Sequence, residues 1–328
     1  MGEPAGIGGE IAVKAWLNRE QERIPPFYII DDPDRLEALI GRLGWTARVS
    51  EIESPEQSLQ TYAHALPVFS QRLDSQPVPG TPLAQNAKAV IAAIDIAVHH
   101  VRAGLADAVV TNPIHKKTLV DVGFGHLGHT EYLAQLAGNG SRAVMMLACP
   151  GLKVVPICVH MSLRKSIEVL STDTIVQTGR IVIDALKRDF GIGLPHVAVS
   201  GLNPHAGEEG AIGREEIDII RPAIEQLKRE GYSVRGPEPA DTLFHERARK
   251  AYDAAICMYH DQALIPIKTI DFYGAVNVTL GLPFVRTSPD HGTAFEIAGT
   301  GVANEHSLVS ALKMASAMAR RRRGTLVC

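Results

Sequence analysis

Short apolar runs alternate along this chain with segments whose apolar residues recur at helical spacing, and that alternation restricts it to an α/β architecture with largely parallel strands. Gln85 to Gly104, "QNAKAVIAAIDIAVHHVRAG", puts Val90, Ile94, Val98 and Val101 on one helical face before a closing glycine, and the strand-like "ADAVV" (106–110) follows. The order returns in "STDTIVQTGRIVIDALKRDFG" (171–191), which opens with residues suited to an N-cap, and then in "HVAVS" (196–200). In "GREEIDIIRPAIEQLKREG" (213–231), Ile217, Ile220, Ile224 and Leu227 share a face, and Pro222 within it predicts a kink or a late start.

With 328 residues the chain has length for two domains and a sizeable core. Its 45% apolar and 21% charged residues and net charge of −3 call for neither nucleic acid nor an anionic membrane. The one basic cluster, Arg320–Arg323, ends a helical pattern and reads as a complement to that helix's C-terminus. Cys149, Cys158, Cys257 and Cys328 are widely spaced with no C-x-x-C pair, as expected of thiols packed as small hydrophobes in a reducing compartment. Neither a secretory leader nor a membrane-spanning run is recognisable, so the protein is expected to be soluble and cytoplasmic.

Three histidines share one position in this pattern. "LKVVPICV" runs into His160, "HVAVSGLNP" into His205 and "DAAICM" through Tyr259 into His260, each just past the C-terminal end of an expected strand. In open parallel sheets that edge is where ligands bind, and three imidazoles delivered there could hold a divalent metal with coordination positions left open. Spacing alone does not bring them together, and any single one of the thirteen histidines is ordinarily a hydrogen-bonded surface or core residue.

Other segments offer ligand chemistry. "GEPAGIGGE" (2–10) leads glycines into a helix, where backbone N–H groups can approach an anion, but it matches neither a P-loop nor a Rossmann fingerprint. Asn277 to Asn304, "NVTLGLPFVRTSPDHGTAFEIAGTGVAN", is dense in Gly, Thr, Asp and His; its Arg286 suits a bidentate grip on phosphate or carboxylate, and Lys268 upstream offers a second cation. Asp241 in "PADTLF" and His129-Thr130 in "GHTEYL" stand at loop-to-helix turns, where an N-cap is the ordinary explanation.

Taken together, "GEPAGIGGE", "TNPIHK", "GHTEYL", "GLNPHAGE", "PADTLF", "MYHDQALIPIK" and "NVTLGLPFVRTSPDHGTAFEIAGTG" resemble, in order, the motifs of the 4-hydroxythreonine-4-phosphate dehydrogenase (PdxA) family of pyridoxal phosphate biosynthesis, up to about residue 305. The resemblance implies a two-domain fold like isocitrate and isopropylmalate dehydrogenases, with largely parallel sheets and an active-site cleft between the domains. Residues 1–110 with 272–328 would form the cofactor-side domain and 111–271 the metal and dimer side. It also implies NAD(P)+ held without a Rossmann fingerprint, at a loop containing His291, Gly292, Thr293 and Gly299.

By the same resemblance, His160, His205 and His260 ligate one divalent metal shared across a homodimer, and His129, Thr130, Lys268, Asn277 and Arg286 contact a small phosphorylated hydroxy-acid substrate. Zinc suits three imidazoles; magnesium, manganese or cobalt would serve in an open site. The implied reaction is oxidation of 4-phosphooxy-L-threonine at C3 and then decarboxylation to 3-amino-2-oxopropyl phosphate. Lys268, Asp241 and Asp261 are the catalytic candidates, the two carboxylates for proton transfer or for orienting a ligand histidine.

The nearest alternative is a paralogous dehydrogenase acting on 4-phospho-D-threonate or 4-phospho-D-erythronate. More distant ones are a three-histidine metal aldolase or hydrolase without nicotinamide, and a non-catalytic phosphate-binding module. Family members ordinarily carry a further first strand ahead of the Met-Gly-Glu-Pro position, so a longer native product is expected.

Overall fold

In the computed structural model, residues 1–126, 128–138 and 140–325 are described; Cys328 lies outside them. Eleven strands lie among the described residues: β1 (Ile29–Asp31), β2 (Val49–Ile52), β3 (Leu66–Ser70), β4 (Ala108–Val110), β5 (Val144–Cys149), β6 (Leu152–Cys158), β7 (His196–Ser200), β8 (Ser233–Glu238), β9 (Ala254–Tyr259), β10 (Val276–Leu280) and β11 (Val285–Pro289). The chain divides into two compact units, Met1–Ser141 with Leu282–Ala319, and Arg142–Gly281 with Arg320–Cys328. By this division 111–141 falls in the first unit, and 272–281 and 320–325 in the second, whereas the expected bounds were 1–110 with 272–328 and 111–271.

In the first unit β1, β3 and β2 form a parallel sheet with β3 in the middle, and β4 pairs in parallel with β11. Val13, Trp16, Leu36, Ile40, Leu66 and Val68 close one core over that sheet. The helix Ala87–Arg102 buries Val90, Ile94 and Val98 as its spacing predicts, and Gly104 takes φ +74, the left-handed closure that favours glycine. Asp31 and Arg35 form a buried pair, Nε to Oδ1 at 2.5 Å and Nη2 to Oδ2 at 2.6 Å. Burial opposes the charge of both groups, but each other's charge and hydrogen bonds outweigh it, holding the carboxyl below and the guanidinium above their usual ranges.

In the second unit the strand order is β10-β5-β6-β9-β7-β8. All neighbours there are parallel except β5, which pairs antiparallel with β6 and β10. The β5–β6 hairpin turns at Pro150-Gly151, with Gly151 at φ +82, a conformation that a side chain would strain. Val154, Val155, Val197, Val199 and Ala254–Cys257 are at most 1% exposed, the burial on both faces typical of a covered parallel sheet.

The helix Thr172–Arg188 is capped by Ser171 Oγ, which accepts from the Thr174 amide. Pro222 leaves a π-turn at Glu216–Ile220 before the α-helix Arg221–Arg229, so the expected kink takes that form.

The arginine run lies in the last turns of the helix His306–Thr325, but Arg322 does more than complement a helix end. It grips the fully buried Asp189 through Nε at 2.6 Å and Nη2 at 3.0 Å, and Arg188 takes the same carboxylate at 2.8 and 3.0 Å. Burial alone would raise the Asp189 carboxyl; the two guanidiniums reverse that and hold it below its usual range. Arg322→Ala should lower stability by about 1–3 kcal/mol in urea unfolding near neutral pH. Because the depressed carboxyl stabilises only while ionised, the difference should shrink as pH falls through its folded pKa. An unchanged midpoint at neutral pH would show that Arg188 alone suffices.

Candidate active site

β6, β9 and β7 run parallel and in register, Cys158 opposite Tyr259 and Val199 opposite Ile256, so their C-terminal ends reach one edge of the second unit's sheet. His160 lies two residues past β6 and His260 directly follows β9 as the first residue of the helix His260–Ile270; the two ring centroids are 6.1 Å apart. Both line a pocket of about 370 Å³ with Ser162, Tyr259 and Asp261. His260 Nδ1 lies 2.7 Å from Asp261 Oδ1, so an N–H donated there fixes the tautomer and leaves Nε2 as a lone-pair donor.

His205 stands apart from this pair. Its side chain is 67% exposed, with Nδ1 3.7 Å from Glu208 Oε1. Among the described residues no three His, Cys, Asp or Glu side chains converge to hold a metal ion within one chain. The donors nevertheless suit one: two neighbouring imidazoles at a strand edge, one of them oriented by a carboxylate. His160 and His205 also sit at φ +51 and +52, which costs a non-glycine residue about 1–2 kcal/mol, a strain that clusters at functional sites.

The polar side chain that joins these strand ends is Gln262, 7% exposed. Its Oε1 accepts from Ser200 Oγ and the Met258 amide, both at 2.7 Å, and its Nε2 donates to the Gly201 carbonyl at 2.7 Å. Sequence reasoning passed over it, although it lies in "MYHDQ", in the first turn of the helix that His260 opens.

Asp241 is exposed in the first turn of the short helix Ala240–Leu243, whose N-cap is Pro239, so it is not the cap. That helix packs against the turn carrying His205. Lys268 lies in the last turn of the helix His260–Ile270, its Nζ 5.1 Å from the centre of the Phe272 ring. Asn277 lies within β10, and its enclosed Oδ1 has no hydrogen-bond donor among the described residues.

The first unit gathers the anion-binding candidates. His129 and Thr130 are the first two residues of the helix His129–Ala137; Gly128 is its N-cap, with no side chain capping the free amides. Arg286, 3% exposed, donates from Nη2 to Thr111 Oγ1 at 2.6 Å, and burial pushes its guanidinium down to about 10. Burial, and then the charges of Arg286, the N-terminal amine and Lys116, hold His129 well below its usual range, so the imidazole is neutral at pH 7. Its Nε2 is enclosed and without a partner among the described residues. A buried guanidinium beside a helix N-terminus, with a lysine nearby, favours phosphate or carboxylate.

The expected cofactor residues share one loop in the same unit. Thr293 O accepts from the Ile7 amide at 3.1 Å, and a Cβ on Gly6 would come within 2.9 Å of that oxygen, so "GEPAGIGGE" and "HGTAFEIAG" form one glycine-lined layer. Ala294 holds φ +47, and His291 Nε2 is enclosed without a partner among the described residues. Gly299 is committed to the layer itself, since its amide donates to Glu10 Oε2 at 3.0 Å.

An α/β protein with paired imidazoles at a sheet edge and a cationic helix N-terminus belongs among proteins that handle small anionic ligands at strand and helix ends. The chain belongs to the PdxA family: the family model described as Pyridoxal phosphate biosynthetic protein PdxA matches residues 22–315. A 4-hydroxythreonine-4-phosphate dehydrogenase from Bradyrhizobium diazoefficiens is 52% identical over 334 residues, covering 97% of this chain and 95% of its own length. The crystal structure of a 4-hydroxythreonine-4-phosphate dehydrogenase from Klebsiella pneumoniae superposes with a TM-score of 0.87 at 35% identity, covering 97% of this chain and 98% of that one. A terephthalate 1,2-cis-dihydrodiol dehydrogenase from Burkholderia xenovorans is also similar, with TM-score 0.63, 28% identity and coverage of 97% and 96%.

The electrostatics of the anion site can be checked on one residue. Arg286→Met should raise the His129 pKa, because a cation disfavouring imidazolium is removed, yet leave it below the usual histidine value, because burial is the larger cause. An NMR titration of the His129 ring protons reads this directly; a pKa that does not move would separate the two groups electrostatically.

Proposed function

We propose that the protein is a metal-dependent, NAD(P)+-linked dehydrogenase that oxidises 4-phosphooxy-L-threonine at C3, with loss of carbon dioxide then giving 3-amino-2-oxopropyl phosphate. The observation that carries this reading is the buried Arg286 beside the uncapped N-terminus of the helix His129–Ala137, in a chain similar along almost its whole length to dehydrogenases of that name. The site suits a doubly charged phosphate and a carboxylate.

Thr111 Oγ1 fixes the Arg286 guanidinium, and the amides of His129 and Thr130 add donors to an anionic group of the substrate. A neutral His129 can donate to a hydroxyl or phosphate oxygen, or accept from a hydroxyl, without adding charge. Lys268 and Asn277 are the further substrate contacts of this reading. The loop with His291, Gly292, Thr293 and Gly299 would hold NAD(P)+, Gly299 by shaping the loop because its amide is already bonded to Glu10.

His160 and His260 would hold a divalent cation with His205 from a second copy of the chain, as a homodimer. When bound, that cation supplies Lewis-acid stabilisation of negative charge developing on substrate oxygen during hydride transfer and decarboxylation. Asp261 orients His260, which leaves the exposed Asp241 as the carboxylate to take the hydroxyl proton.

The test is reduced-nicotinamide absorbance from the full-length protein with NAD or NADP, with and without a chelator. The expected outcome is turnover of 4-phosphooxy-L-threonine that the chelator abolishes and added zinc, cobalt or magnesium restores. His205→Ala should abolish turnover while leaving the fold and nucleotide binding intact. Preference for 4-phospho-D-threonate or 4-phospho-D-erythronate would move the enzyme to a paralogous branch, and no reduction with any substrate would overturn the reading.

A further inference from the structure

We infer that Glu216 is the positioning residue for His205, fixing the backbone from which that imidazole is presented and thereby the metal affinity of the site; the inference rests on the proposed ligand role of His205. The turn Pro204–Gly210 is unusual in its backbone. His205, Ala206, Gly207, Glu208 and Glu209 follow one another at φ 52, 55, 80, 39 and 55, all left-handed, and only one of them is a glycine. A run of this kind does not hold itself, because each L-residue in it is sterically disfavoured. Something outside the turn must hold it.

Glu216 is placed to do so. It is 1% exposed, and its carboxylate is directed at the two residues that lead into the turn: Oε1 accepts from the Leu202 and Asn203 amides, both at 2.7 Å, and Oε2 accepts from Asn203 Nδ2 at 2.9 Å. Asn203 passes the constraint on, since its carbonyl accepts from the Ala206 amide at 3.1 Å.

Two glycines make room for the carboxylate. A Cβ on Gly207 would lie 2.5 Å from Oε2, and one on Gly201 would lie 3.1 Å from Oε1. Behind it, Glu216 opens the π-turn that ends at the fully buried Ile220, so the side chain is anchored in the core and reaches outward to the turn. Gln262 fixes the residue just ahead of these two by holding the Gly201 carbonyl together with the strand that leads to His260. Removing the Glu216 carboxylate therefore acts first on where His205 stands relative to the sheet edge.

The experiment compares zinc binding by isothermal titration calorimetry to full-length wild type, Glu216→Ala, Glu216→Gln and His205→Ala, with NAD(P)+ binding and far-ultraviolet circular dichroism as checks on the fold. Expected is a loss of zinc affinity of about 10–100-fold in Glu216→Ala, with nucleotide binding unchanged, the range found when groups supporting a metal ligand are removed. Glu216→Ala binding zinc within about threefold of wild type while His205→Ala is weakened would overturn the positioning role and leave the metal site standing. Zinc affinity unchanged in His205→Ala would instead overturn the ligand reading and this inference with it. If Glu216→Ala does not fold, Glu216→Gln decides. Its amide turns a donor toward Asn203 Nδ2, so a loss of at least about threefold is expected, and wild-type affinity would overturn the inference.

Discussion

The in-register parallel pairing of β6, β9 and β7 is the constraint on which the metal-binding candidates depend. Parallel strands in register end together, so whatever follows Cys158, Ser200 and Tyr259 is delivered to one edge. The register itself is held by apolar packing on both faces of the sheet, since a slip of one residue would exchange the faces presented by the side chains. Packing thus fixes the positions at which polar side chains can leave the sheet, and the strands' own interiors contain none of the chemistry.

Each unit also holds buried polar groups whose partners are mostly backbone. Gln262 joins two strand ends, Glu216 holds the loop entry, and in the first unit Glu10 receives the amides of Gly299 and Ala303 at 3.0 and 3.1 Å. Burying an amide or carboxylate is unfavourable unless its hydrogen bonds are restored, so each of these residues constrains the backbone it touches as strongly as it needs that backbone. Asp31–Arg35 and Asp189 with its two arginines follow the same rule with charge on both sides.

Periodicity made the regular elements legible in the sequence. The helix Ala87–Arg102 and the strand His196–Ser200 fall where spacing places them, because burial of one apolar face or run sets their residues. The helix His260–Ile270 that carries Lys268 was less legible, since Pro266 ordinarily breaks a helix; Ala263 and Ile267, both fully buried, hold it through the proline. The pairing of Arg322 with Asp189 and the role of Glu216 were not foreseen because their partners are remote or are backbone atoms, which no local pattern records. The histidines show the limit most clearly: strand ends predicted a shared edge, and His160 and His260 meet there, but the path of the loop to His205 depends on a left-handed run that spacing cannot encode.

That His205 stands outside the pair within one chain has a physical counterpart in the surface around His160 and His260. Met161 and Leu163, which line the same pocket, are 42% and 56% exposed, and on and just beyond the helix that starts at His260, Ile265, Phe272 and Tyr273 are 65%, 63% and 65% exposed. Single exposed apolar residues need no explanation, but Met161 and Leu163 stand beside the pair of metal-ligand candidates in the pocket itself, where water solvates them poorly. A second copy seated over that face would remove the apolar surface from water and bring a further exposed histidine to the pocket in the same step. Association and completion of the metal site would then be one equilibrium, so a cation that binds the assembled site would also stabilise the dimer.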